Sequence, residues 1–111
     1  MTDKIVVFST CSSREEAARI ARDLVEAHLA ACVSMIPAVS SVYRWQGAVE
    51  EAEEVALMIK SSRELFQPLR ARIEKLGSYT TPEIIALPIV DGSEAYLEWM
   101  NAELPAPGGA E

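Results

Sequence analysis

The chain has 111 residues, 50% of them hydrophobic, which is enough for one domain with its own core. Its net charge of −7, with basic residues scattered among acidic ones, argues against nucleic acid and anionic membrane surfaces, which need clustered Lys and Arg. No apolar run reaches the roughly 18 residues of a membrane span, no signal-peptide pattern opens the chain, and two cysteines, Cys11 and Cys32, make no disulfide framework, so a reduced, cytoplasmic protein is expected.

Residues 4–9, Lys-Ile-Val-Val-Phe-Ser, read as a buried strand because they form a β-branched apolar run. Ser13 with Glu16, or Ser12 with Glu15, fits a capping box that opens a helix. Ala17, Ile20, Ala21, Leu24 and Val25 continue it as one apolar stripe to an end near His28-Leu29. His28 is the single histidine, and in the last turn it favours the helix C-terminus electrostatically. With no second His or paired Cys nearby in sequence, neither a metal site nor a nucleophile–base pair assembles around it.

Residues 31–45 form the next strand, with an edge, bend or bulge required at Pro37. Gln46-Gly47 signals a turn, and 48–60 return as a strand. There both alternating sets are apolar: Val55, Leu57 and Ile59 on one face, Ala56 and Met58 on the other. A strand with one face in water alternates apolar and polar, so something covers this second face. The run Glu50-Glu51-Ala52-Glu53-Glu54 reads as a solvated hairpin edge that blocks aggregation, or as a weak site for hard cations.

Ser61 with Glu64 fits a second capping box, and Leu65, Leu69, Ile73 and Leu76 give a second helical stripe. Pro68 marks a kink or a restart in it, and Gly77 its end. Residues 83–90 form a fourth strand, Asp91-Gly92 turns, and 93–101 form a short third helix. Residues 1–103 make one domain, and 104–111 a flexible tail without core-forming content. The order is βαββαβ plus a short helix. That is the α+β, ferredoxin-like sandwich, an antiparallel sheet with two helices on one face. Its other, apolar face is most simply covered by further copies of the chain.

Five segments stand in an order that resembles the CutA family of divalent-cation tolerance proteins: Leu29-Ala30-Ala31-Cys32-Val33, Ser41-Val42-Tyr43-Arg44-Trp45-Gln46-Gly47, Ile59-Lys60-Ser61, Tyr79-Thr80-Thr81-Pro82-Glu83-Ile84 and Tyr96-Leu97-Glu98-Trp99. The resemblance covers about residues 4–101. It implies a PII-like homotrimer, a link to divalent metal tolerance, copper binding in some members, and no firmly attached enzymatic activity. It also places the family's copper ligands, a Cys and a His pair, at Ser9, Leu76 and Gly77, where this chain has no such side chain. A copper site wants soft or nitrogen ligands, so that site is expected to be lost here. Cys11, two residues past Ser9, is either a displaced metal ligand or a small buried residue, and Cys32 packs in the core.

By the same resemblance Thr10, Tyr43, Trp45, Lys60, Tyr79 and Glu83 fall around a cleft between subunits. Lys60 and Glu83 converging there would bind a small anion or a metal or do acid/base chemistry, or else form an interface salt bridge. Tyr43 and Trp45 project from one side of a strand at a hairpin tip, and with Met58 they are the expected oligomer contacts, since Tyr and Trp suit interfaces. The favoured reading is a trimeric, non-enzymatic, CutA-like protein of divalent metal response. The alternatives are a PII-like small-ligand signalling module and an enzyme using the inter-subunit cleft.

Overall fold

Alternation along the strands decides which side of the sheet becomes the core. A computed structural model of the chain describes residues 2–105. The elements are β1 (Lys4–Cys11), α1 (Arg14–Glu26), β2 (Cys32–Trp45), β3 (Ala48–Ser62), a 3-10 turn (Arg63–Leu65), α2 (Phe66–Leu76), β4 (Ile84–Pro88) and α3 (Glu94–Glu103). The strands lie in the order β2-β3-β1-β4, and each neighbouring pair is antiparallel. This is the expected ferredoxin-like arrangement. Ile5 and Val7 of β1 and Val55, Leu57 and Ile59 of β3 pack with Ile20 and Leu24 of α1 and Leu69 and Ile73 of α2. Each such side chain, fully buried, contributes about 1.5–3 kcal/mol.

The α1 start follows the sequence: Ser13 Oγ accepts from the Glu16 N–H at 3.1 Å. Its end does not. The helix stops at Glu26, and His28 lies beyond it in the left-handed region, at φ +60°. The Leu29 N–H bonds the Leu24 carbonyl and the His28 N–H the Val25 carbonyl, a Schellman closure with His28 where glycine is common. His28 Nδ1 lies 3.2 Å from the Glu103 carbonyl oxygen, linking this corner to the end of α3.

β2 is an edge strand, and its pairing with β3 slips between Ile36 and Val39, so the bulge takes up Pro37 and Ala38. Gln46 and Gly47 both have positive φ, +51° and +84°, and Trp45 pairs directly with Ala48. That is a two-residue type I′ turn, whose twist suits a hairpin.

The second capping box is not formed. β3 runs through Ser61 and Ser62, and the buried Ser61 Oγ donates to the Leu29 carbonyl at 2.7 Å instead of capping a helix. Pro68 lies in the first turn of α2, where its missing N–H has no helical partner to lose. Gly77 ends α2 in an extended conformation, not a left-handed one. The space there is tight: a Cβ would lie 3.1 Å from the Ile73 carbonyl oxygen and 3.4 Å from Glu16 Oε2. The expected tail begins one residue too early. Leu104 is buried with Met100 and Ala31, whereas 106–111 lie outside the described residues.

The helices cover one face of the sheet. On the other, Phe8 pairs with Met58 and Ile85, Val6 with Lys60 and Leu87, and Ile36 with Ala56. Ile36, Ile85 and Leu87 are 41%, 52% and 45% exposed on this open face.

Candidate functional site

The β2–β3 hairpin fixes one wall of a cleft. Counting from its tight turn, Tyr43 pairs with Glu50, Ser41 with Ala52 and Val39 with Glu54. Paired residues share a face, so Ser41, Tyr43, Trp45, Glu50 and Glu54 all point to the side that carries Met58. The segment after α2 forms the other wall, where Tyr79 donates to Glu54 Oε2 at 2.7 Å. Thr10, Tyr43, Trp45, Tyr79 and Glu83 thus line one cleft of about 680 Å³.

Glu16 holds that second wall in place. It is buried, and its carboxylate accepts from the Ser12 N–H and Oγ and from the Ser78 N–H and Oγ. Burial pushes the Glu16 carboxyl up, but the hydrogen bonds from Ser12 and Ser78 outweigh it and hold the group below its ordinary value of 4.5. One carboxylate therefore supports the start of α1 and anchors the chain directly before Tyr79. In the cleft, burial first, and then the hydrogen bond to Glu54 and its negative charge, push the Tyr79 phenol well above its ordinary value of 10.0. Tyr79 is a fixed donor and not a base.

Lys60 is not part of this cleft. It pairs with Val6 and Cys32, four positions along β3 from the Ala56 that pairs with Thr10. Four residues of strand span about 13 Å. Its Nζ lies 4.0 Å from Cys32 Sγ. Within one chain strand register keeps Lys60 away from Glu83, whereas the expected convergence is one between neighbouring subunits. Cys32 is only half-buried, on the open face beside Lys60. Met58 lies half-buried on the same face between Phe8 and Ser34. Sequence reasoning took Glu16 only as a capping residue, and Glu50 and Glu54 only as part of an acidic hairpin edge or a weak cation site, not as lining of this cleft. The signal was available for Glu50 and Glu54: a two-residue turn at Gln46-Gly47 sets Glu50 opposite Tyr43.

The residues present do not fit copper. Ser9 is 1% exposed on the helix-covered side, and its Oγ has no partner. It offers one neutral hydroxyl among apolar side chains. Leu76 packs against the core, and Gly77 has the crowded position described above. Cys11 is buried on the same covered side, and burial, with the charges of Glu16 and Glu54, pushes its thiol up to about 11. A protonated thiol is a poor ligand and a poor nucleophile. Among the described residues no group of three or more His, Cys, Asp or Glu side chains gathers as a metal site would require.

A family model described as "CutA1 divalent ion tolerance protein" matches residues 5–103. The divalent-cation tolerance protein CutA of Thermus thermophilus is 47% identical over 96 residues, which cover 86% of this chain and 93% of that one. The chloroplastic protein CutA of Arabidopsis thaliana is 43% identical over 97 residues, 87% of this chain but 53% of that longer protein. The solved Cut A1 structure from Thermus thermophilus superposes with a TM-score of 0.89 at 44% identity, covering 91% of this chain and 98% of that one.

Proposed function

The chain belongs to the CutA1 family of divalent ion tolerance proteins, and from that premise we propose that it acts as a homotrimer that binds a small ligand in its cleft and catalyses no reaction. The observation that carries the assembly is the open face of the sheet. Phe8, Met58, Ile85 and Leu87 form an apolar surface that neither helix covers. An exposed patch of this kind marks an association surface. Copies of the same chain, closed around a three-fold axis, cover all of these faces with one repeated contact.

The chemistry of the cleft supports binding over turnover. Its hydroxyls and carboxylates face no histidine or thiolate: His28 sits at the end of α1 against Glu103, and Cys11 is a buried thiol. A nucleotide-binding role is opposed by the three carboxylates of Glu50, Glu54 and Glu83 in the lining, with no Lys, Arg or His beside them. Tolerance to divalent cations then operates without the copper ligands that the resemblance places at Ser9, Leu76 and Gly77. The unpaired Cys11 and Cys32 go with a cytoplasmic location, where thiols stay reduced.

Light scattering tests the assembly: the expected mass is three times the 12.1 kDa of the chain. A particle of single-chain mass overturns the trimer. Calorimetry with Cu(II) is expected to show no tight one-per-chain site, and such a site abolished by Cys11→Ser overturns the metal reading.

A further inference from the structure

The last helix is held differently from the first. α1 buries Glu16, Ala17, Ile20, Ala21 and Leu24, whereas of the ten residues of α3 only Met100 is buried. From this contrast we propose that α3 is a strap that opens by itself: it leaves the body and rejoins it as one unit while the sheet, α1 and α2 stay folded.

Packing gives the boundary of the unit. Met100 and Leu104 pack with Ala31, Leu65 and Leu97 in a small cluster of their own. The main core, built around Ile5, Val7, Leu57, Ile59, Leu69 and Ile73, contains no residue of α3. What α3 rests on is not the sheet either: Ala31 precedes β2, and Leu65 belongs to the 3-10 turn. Its departure therefore takes nothing from the contacts that hold β1 and β3 against α1 and α2.

The connection to β4 allows the movement. Residues 89–93 carry no regular structure. The Ile89 N–H donates to the Lys4 carbonyl at 3.1 Å and ends the attachment to β1. Beyond it, the Gly92 N–H donates to the neighbouring Asp91 Oδ1 at 2.9 Å, and Ser93 Oγ caps α3 by accepting from the Tyr96 N–H at 3.2 Å. These last two bonds travel with the strap.

Among the described residues, two side-chain contacts tie α3 to the body. Lys4 Nζ donates to Asn101 Oδ1 at 3.1 Å, and His28 Nδ1 lies 3.2 Å from the Glu103 carbonyl oxygen. Neither makes opening prohibitive. Lys4 is 4% exposed, but its ammonium also holds Asp3 Oδ1 at 2.8 Å, so opening leaves no unpaired buried charge. The Glu103 carbonyl is at the end of the helix, where water can replace the imidazole. A helix this short is marginal alone in water, so α3 frays as it leaves, and opening costs mainly the docking of Met100 and Leu104. It uncovers Ala31 and Leu65, an apolar patch beside the Lys4 ammonium. No residue of α3 lines the cleft, which keeps its shape in both states.

Amide hydrogen exchange, read peptide by peptide on the full chain, tests the strap. Where exchange follows the opening equilibrium, α3 amides should exchange at least about a hundredfold faster than those at the centre of β1 and β3. Two variants then separate the strap from the core. Leu57→Ala weakens a core that is intact with the strap open or closed. It should speed exchange in β1 and β3 about a hundredfold and leave α3 unchanged. Met100→Ala weakens the docking itself and should speed α3 by about a hundredfold. Ile59→Val, worth about fivefold in the core, takes the place of Leu57→Ala if that variant does not fold. An α3 that exchanges at the rate of β1 and β3, or that the core variant speeds by the same factor as the core, overturns the strap. A helix clamped by a neighbouring subunit would behave in that way. An α3 rate unmoved by Met100→Ala overturns it as well.

Discussion

Two faces of one strand are treated differently in this molecule. Val55, Leu57 and Ile59 leave β3 toward the helices and are 7%, 0% and 0% exposed. Ala56, Met58 and Lys60 leave it on the other side and remain half-buried. Hydrophobicity alone does not separate the two sets, since Met58 is as apolar as its neighbours. The difference lies in the cover: α1 and α2 supply it on one face, and on our proposal other copies of the chain supply it on the second. The covered face should therefore govern the stability of the single chain, and the open face its association.

The largest effect is expected at the centre of the covered face. Leu57→Ala should cost about 3 kcal/mol in denaturant unfolding, because it removes a fully buried side chain and leaves a cavity. Met58→Asp, one residue along, should preserve the far-ultraviolet circular dichroism and lower the mass seen by light scattering. An assembled particle in Met58→Asp would break the comparison.

The next effect comes from Glu16, at the rim of the covered side. Glu16→Ala should cost about 2 kcal/mol by removing acceptors from Ser12 and Ser78. Because the folded carboxyl lies below its ordinary value of 4.5, its contribution is present above that pH and is lost as pH falls through the folded value. Glu16→Gln should therefore lose less stability than the unsubstituted chain between neutral pH and that acid range. Parallel acid limbs would show that the clamp gains nothing from its charge.

Smaller still is the loss expected for Trp45→Ala, a weakening of trimer association by about tenfold, or roughly 1.4 kcal/mol, with the single-chain fold intact. A fully stable trimer would remove the hairpin tip from the interface. The smallest effect concerns the thiols, one on each side. A disulfide reagent at pH 8 should modify Cys32 ahead of Cys11, whose value of about 11 leaves roughly one part in a thousand as thiolate. Equal rates would mean that the covered side is open.

Much of this was legible in the chain. The apolar run of β1, the bulge at Pro37 and the turn at Gln46-Gly47 follow from local chemistry, and the second apolar face of β3 follows from a broken alternation. The errors have physical reasons. Ser61 and Glu64 carry the spacing of a capping box, yet Ser61 is still in a strand when its hydroxyl finds the Leu29 carbonyl. His28 follows an unbroken helical stripe, and nothing local announced a left-handed residue at a histidine. At the cleft, the sequence supplied Thr10, Tyr43, Trp45, Tyr79 and Glu83. Lys60, expected in a cleft between subunits, lies outside the cleft of the single chain because of its register, and Glu54, read as part of a solvated acidic edge, accepts the Tyr79 hydroxyl. The bond from Tyr79 to Glu54 spans 25 residues and that from Ser78 to Glu16 spans 62, distances at which no periodicity speaks.

Gly77 bears on the lost ligand position. A side chain at this position would press on the Ile73 carbonyl and on the carboxylate of Glu16. An imidazole at Gly77, the ligand position assigned by the resemblance, and the Glu16 clamp are therefore competitors for the same space. A side chain at this position can be accommodated only if the Ile73 carbonyl or the Glu16 carboxylate gives way.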